Sequence, residues 1–201
     1  MVQKSDETPR RRGRPRGFDS GEVLSAATER FRTHGYAGTS LDDLVDATGL
    51  QRPSLYAAFG DKRALYLATL DRTIERAGRG FDQLIAANLP IRQSLQAMFR
   101  TIVDGYLTGE TGPSGCIMVS TSATSAVDDA EIRARLAAFL KMEDDRIEEL
   151  LVARGDPAAR AHARVATAVI HSLSVRARAG APRAELEALA ADCVAMIAGD
   201  G

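Results

Sequence analysis

The stretch from Ser40 to Gly60 carries the punctuation that most restricts how this chain can fold. Ser40 stands three residues before Asp43, the spacing of a reciprocal helix N-cap. Leu41, Leu44, Val45 and Thr48 then share one helical face until Gly49 stops the run. Pro53 is tolerated only in a first helical turn, so a second short helix must begin near Gln51 or Arg52 and end at Phe59, with Leu55 and Phe59 as its core residues. Two short helices meeting at Gly49 and Leu50, with an apolar residue inside the turn, form the pattern of a helix-turn-helix.

The flanking sequence extends this reading. Upstream, Val23, Ala26, Ala27 and Phe31 follow helical spacing over residues 19–34, and Gly35 is placed to end that helix. Downstream the chain reads as helix after helix, broken near residues 88–90, 109–115, 128, 155–157 and 180–182. In residues 116–127, Ile117, Val119, Thr121 and Thr124 suit a strand by propensity, but a lone strand would have no partner, so a helix is expected there too. The expected fold is all-α with about nine helices. It comprises a basic arm over residues 1–17, a three-helix head over 18–62 and a larger helical domain over 63–201.

Charge sharpens the division. The net charge is −1 over 201 residues, yet Arg10, Arg11, Arg12, Arg14 and Arg16 crowd the arm with no acid among them. One end of the chain is therefore suited to a polyanion, while the average charge opposes a protein that coats nucleic acid all over. Gly13, Pro15 and Gly17 deny the arm any periodicity, and a disordered segment is expected. The two cysteines, Cys116 and Cys193, lie far apart without ligand spacing, which predicts neither a disulfide framework nor a metal site. His162 and His171 are nine apart, on nearly opposite edges of one helix, and form no metal pair. No apolar run approaches a membrane span and no leader-like segment opens the chain, so a cytoplasmic protein with no cofactor is expected.

Residues 31–65, FRTHGYAGTSLDDLVDATGLQRPSLYAAFGDKRAL, resemble the head of TetR/AcrR-family transcriptional regulators. There an aromatic-Gly-aromatic stretch precedes the helix-turn-helix and a Leu-Tyr-x-x-Phe-x-x-Lys pattern closes it. The resemblance implies a DNA-binding head on a ligand-binding and dimerisation domain, with the last two helices, about 158–179 and 183–198, building a homodimer. It also implies a repressor released from a palindromic, double-stranded operator by a small effector.

Carried over residue by residue, the resemblance places Thr39, Gln51, Arg52, Pro53, Ser54, Tyr56 and Lys62 at positions that face DNA. Gln51 and Arg52, at the start of the second short helix, can offer hydrogen bonds to base edges in the major groove. Thr39, Tyr56 and Lys62 suit phosphate oxygens, which set register without reading sequence. Packing on the head is an equally physical use of the Tyr56 ring. The arm, with Arg12 and Arg14 in an Arg-Gly-Arg-Pro setting, resembles an AT-hook and suits a narrow minor groove. A solubilising tail with diffuse phosphate attraction is the other use of such a run.

For the effector, the resemblance directs attention to Phe81, Met98, Phe99, Ile102, Tyr106, Met118, Phe139 and Met142. Apolar side chains at helical spacing serve a core equally well. Cys116, in Ser-Gly-Cys-Ile-Met-Val, resembles a Gly-Cys-apolar segment of one subgroup in which a cysteine senses electrophiles. A sensing thiol must be exposed and of lowered pKa, and a buried packing cysteine is the alternative. The chain departs from that subgroup at Ser120 and Thr124. Cys193 falls in register with Leu186, Leu189, Ala190 and Ile197, where packing at the dimer seam is expected. His171 stands among Val169, Ile170 and Leu173, on a helix able to line both pocket and interface. No phosphate loop, nucleophile motif or HExxH supports an enzyme. An architectural DNA-binding protein without an effector is the alternative reading.

Overall fold

The structure, a computed structural model, describes residues 18–199. The arm, with Arg12 and Arg14, lies outside the described residues. The described chain is all-helical, with nine α-helices and no strand.

Helix α1 (Ser20–His34) begins where the Asp19 carboxylate accepts from the Gly21 and Glu22 amides. Helix α2 (Leu41–Thr48) is fixed by the expected capping box: Ser40 Oγ accepts from the Asp43 amide and the Asp43 carboxylate accepts from the Ser40 amide, before Gly49 turns left-handed at φ 67°. Helix α3 (Arg52–Phe59) carries Pro53 in its first turn. These helices bury Val23, Ala27, Phe31, Leu44 and Leu55 against one another. Phe59 is half-buried, its ring 6.4 Å from Phe18, so it is a flank of the head and not the core residue expected.

Helix α4 (Lys62–Ala86) runs without interruption from the head into the body. The body adds α5 (Ile91–Leu107), a short α6 (Ala123–Ser125), α7 (Ala130–Val152), α8 (Ala159–Arg178) and α9 (Arg183–Ala198). The breaks fall where Gly, Pro and Asp predicted them. The ambiguous segment is helical but not simply α: Met118–Ser122 forms a π turn that leads into α6. Its hydroxyls explain part of this, since Thr121 Oγ1 donates to Ile117 O and Ser122 Oγ to Met118 O, competing with the amides for those carbonyls.

Two apolar cores result. One joins the head to the body, bringing Ile117, Met118, Ile132 and Phe139 onto Phe31, Leu65, Tyr66 and Leu70. The other lies within the body, where Phe81, Leu95, Met98 and Phe99 meet Ile147, Ile170, Leu173, Leu186, Val194 and Ile197. Cys193 is buried in this second core, so it packs inside its own chain and not at a seam between chains. The apolar periodicity is the same in either case; which neighbour fills the groove is a tertiary fact.

Two arginines bolt the head to the body. Arg32 of α1 donates to the carbonyls of Gly105 and Thr108 at the end of α5. Reciprocally, Arg178 at the end of α8 donates to Arg32 O at 2.7 Å and Thr33 O at 3.0 Å, the last turn of α1, and to Ser114 O at 3.3 Å. Each guanidinium thus meets helix-terminal carbonyls that have no partner inside their own helix.

Candidate DNA-binding face and effector region

The head presents one polar face. Gln51, Arg52, Pro53, Ser54 and Tyr56 are all exposed, with Tyr56 retaining 45% of its accessible surface. Leu55, between them, is buried; its anchoring sets which side of α3 points outward. Ala57 is exposed as well, so the outer face of α3 is small enough to enter a major groove. Arg52 is not free: its Nε and Nη2 donate to Asp42 Oδ1 of α2 at 3.2 and 2.5 Å. This pair spans the two short helices and leaves other guanidinium N–H groups available, while both side chains stay largely exposed.

Lys62, at the start of α4, holds its ammonium 4.4 Å from the Tyr36 ring centroid. Burial lowers its pKa from the usual lysine range, with Asp43 opposing. Tyr36 in turn packs with Phe31 and Tyr66, and this aromatic cluster positions the Lys62 stem. Thr39 departs from expectation. It is only 1% exposed and its Oγ1 donates to Gly35 O at 2.7 Å, closing the link between α1 and α2. Its hydroxyl is therefore committed to the turn and has nothing to offer a phosphate.

In the body the expected effector residues divide. Met118 and Phe139 are sealed in the head-to-body core, whereas Phe81, Met98 and Phe99 belong to the other core. Ile102, Tyr106 and Met142 are partly buried beside the latter. An open groove of about 350 Å³ between α5 and α9 has Phe99 and Val103 on its floor and Arg92 and Arg100 at its rim. Of the residues named from sequence, it includes Phe99 alone.

Cys116 is partly exposed, as a sensing thiol must be, but its pKa is not lowered. Burial pushes its pKa up to about 11, with nearby Glu143 acting in the same direction, so at neutral pH the thiol keeps its proton and is a weak nucleophile. Its amide donates to Ser174 Oγ, and that hydroxyl also meets Ser120 Oγ at 3.0 Å. Gly115, just before it, has φ 66°, and a Cβ there would come 2.5 Å from Ser174 O. Only glycine fits this close approach.

Sequence reasoning missed Glu143. It is 4% exposed, a charged residue in the core of the body, and His171 Nε2 lies 2.8 Å from its Oε2. Burial raises its pKa and the His171 contact opposes the rise. The signal was present: on α7, residues 132, 136, 139, 143, 147 and 150 share one face, and the fourth is an acid among Ile132, Leu136, Phe139, Ile147 and Leu150. His162 is separately engaged, its Nδ1 2.7 Å from Asp156 Oδ2. Among the described residues no group of His, Cys, Asp or Glu is arranged to hold a metal.

A buried Leu55 aiming an exposed, proline-started helix outward, next to a capped partner helix, defines a DNA-binding regulator of the helix-turn-helix class. The model of bacterial regulatory proteins of the tetR family matches residues 23–69. The chain is 34% identical over 187 residues to the HTH-type transcriptional repressor ComR of Escherichia coli K12, covering 89% of each protein. It therefore belongs to the TetR family. Among solved structures it is similar to a cysteine mutant of the TetR family transcriptional regulator CifR, complexed with 26-base-pair operator DNA. That match has 28% identity, a TM-score of 0.70, and covers 90% of this chain and 98% of the other. A TetR transcriptional regulator from Legionella pneumophila shares the fold at 16% identity and a TM-score of 0.78, covering 90% and 98%.

Proposed function

We propose that this protein is a ligand-responsive repressor. Its head, residues 18–62, binds a palindromic operator, and the remainder, residues 63–201, dimerises and takes a small effector that releases DNA. The observation that carries the reading is the outward face of α3, where Gln51 and Arg52 are exposed at the helix N-terminus, Arg52 steadied by Asp42 of α2 with further N–H groups available. Those two side chains read bases; Pro53 and Ser54 let α3 approach closely; Tyr56 and Lys62 hold phosphates, and Arg12 and Arg14 of the arm add attraction along the duplex. The similarity to a repressor over most of both chains supports repression.

Dimerisation uses α8 and α9. Ala161, Val165, Ala168 and Val175 are exposed at spacings of four, three and seven along α8, and Met196 is 55% exposed on α9. Such a stripe is the seam of a helical bundle between two copies. Among the described residues no helix is long and apolar enough to cross a membrane, and a cytoplasmic site of action suits a DNA-binding regulator. The effector is hydrophobic in the main, because Phe99, Ile102, Tyr106 and Met142 belong to, or pack against, the apolar core of the body. An electrophile is not favoured, given the protonated Cys116 thiol.

The test is an electrophoretic shift with DNA flanking the protein's own gene. A specific shift at moderate salt, lost in Gln51→Ala/Arg52→Ala, is expected. Equal binding to unrelated DNA would sink the reading.

A further inference from the structure

Two adjacent acids open α2, and they are engaged differently. Asp43 is committed to the capping box, its carboxylate accepting from the Ser40 amide and hydroxyl. Asp42 reaches across the turn to α3, where its Oδ1 accepts from both Nε and Nη2 of Arg52. The pair does little for folding. Both side chains are more than half exposed, at 72% and 54%, and water and salt screen an ion pair in that setting. Nor does it raise affinity for DNA as such: a carboxylate on this face is repelled by phosphates and cancels the charge that Arg52 would bring to them.

What the pair supplies is direction. A guanidinium carries five N–H donors in a fixed planar fork. Asp42 occupies the edge made by Nε and Nη2, which leaves the distal edge, Nη1 with the second N–H of Nη2, as two parallel donors. Guanine shows O6 and N7 side by side in the major groove, two acceptors that match such a fork; adenine sets a donor beside its N7, and neither pyrimidine offers two acceptors. The supports of the pair are themselves fixed. Gly49 sets the turn, Leu44 and Leu55 are buried beneath it, and Pro53 restricts the backbone at Arg52. Arg52 is thus oriented before DNA arrives and loses less freedom on binding. With its charge met by Asp42, it is also drawn less to the nearest phosphates and is left for a base edge.

Resting on the reading of the head as an operator-binding unit, we propose that each operator half-site carries a guanine read by the distal edge of Arg52, and that Asp42 is the positioning residue that fixes this choice of base. Asp42 acts through Arg52 and needs no contact with DNA of its own.

The experiment is selection of bound duplexes from a random library by the full chain, followed by competition shifts with base-substituted forms of the selected duplex. One guanine per half-site is expected whose replacement by adenine weakens binding about ten- to a hundredfold. Its replacement by 7-deazaguanine, which lacks only the N7 acceptor, is expected to weaken binding as well. Arg52→Ala is expected to abolish the preference at that position and to leave other positions selected. Asp42→Ala is expected to reduce it to about threefold or less, whereas Asp42→Asn, which keeps an acceptor at Oδ1 without the charge, is expected to retain most of it. If Asp42 served only the charge at the start of α2, the two variants would behave alike. A site without an Arg52-dependent guanine, indifference to 7-deazaguanine, a preference untouched by Asp42→Ala, or equal behaviour of the two Asp42 variants overturns the proposal. The 7-deazaguanine comparison uses the unmodified protein and stands whatever the variants do. A selected palindrome lacking these dependences removes the base assignment and leaves the regulator reading intact; failure to select any sequence removes both.

Discussion

Replacing Arg178 by methionine isolates the arginine bolt between head and body. Methionine keeps most of the stem and removes every donor, so packing changes little while three carbonyls lose their partner. Two of the lost bonds are well formed, at 2.7 and 3.0 Å, and the third, at 3.3 Å, is marginal. A hydrogen bond from a charged donor is worth about 1.5–3 kcal/mol net, but these carbonyls sit at the surface and water replaces part of the loss, so about 1 kcal/mol each is reasonable. The opening equilibrium of the contact then shifts by about 2 kcal/mol, or about thirtyfold. Hydrogen exchange followed by mass spectrometry reads this directly. Peptides over the end of α1 and over residues 108–116 are expected to exchange about thirtyfold faster, with α9 unchanged. If those peptides exchange as in the unmodified protein, the bonds hold nothing; if all helices speed up together, the arginine supports the fold as a whole and not one joint.

Four other outcomes follow from the same geometry. Leu55→Ala empties a fully buried site in the head and is expected to cost about 2–5 kcal/mol, lowering the urea midpoint of unfolding; a loss below about 1 kcal/mol would mean α3 is not anchored as described. Asp42→Ala frees Arg52 and is expected to weaken discrimination among single-base operator variants more than total affinity for DNA, measured by competition shifts; unchanged discrimination would show the pair to be incidental. The Asp129 carboxylate, which caps α7 and pairs with Arg63, has its pKa lowered from 3.8 to about 2. A lowered folded-state pKa stabilises above the ordinary value and stops doing so as pH falls from about 4 towards 2. Asp129→Asn should therefore destabilise at pH 6 and make little difference at pH 2, as read by thermal unfolding. Finally, the Cys116 thiol should react with a disulfide reagent slowly at pH 7, and a fast reaction there would contradict its protected state.

The head was legible because its signals are local. Ser40 with Asp43, Gly49, Pro53 and Gly60 act within a few residues of themselves, and each did in the structure what backbone chemistry required. The body yielded its helix breaks for the same reason. What sequence did not disclose depends on which helices meet. Met118 and Phe99 look alike in a linear pattern but lie in different cores. Thr39 looks exposed beside Ser40, yet the turn folds its hydroxyl back onto Gly35. Arg32 and Arg178 are unremarkable charges until the ends of α1, α5 and α8 converge. Glu143 is intermediate: periodicity places it on an apolar face, but only the arrival of His171 from α8 shows how a buried acid is partnered there.

The unbroken α4 has a mechanical consequence. Twenty-five residues at 1.5 Å each make a rod about 37 Å long, with its first turn joined to α3 and its far half lying along the body. A rod of that length magnifies small angles: tilting it by about 5° about the body end carries the head through about 3 Å, close to the roughly 3.4 Å between successive base pairs. The body need only rotate this one lever by a few degrees for α3 to fall out of step with the grooves it reads.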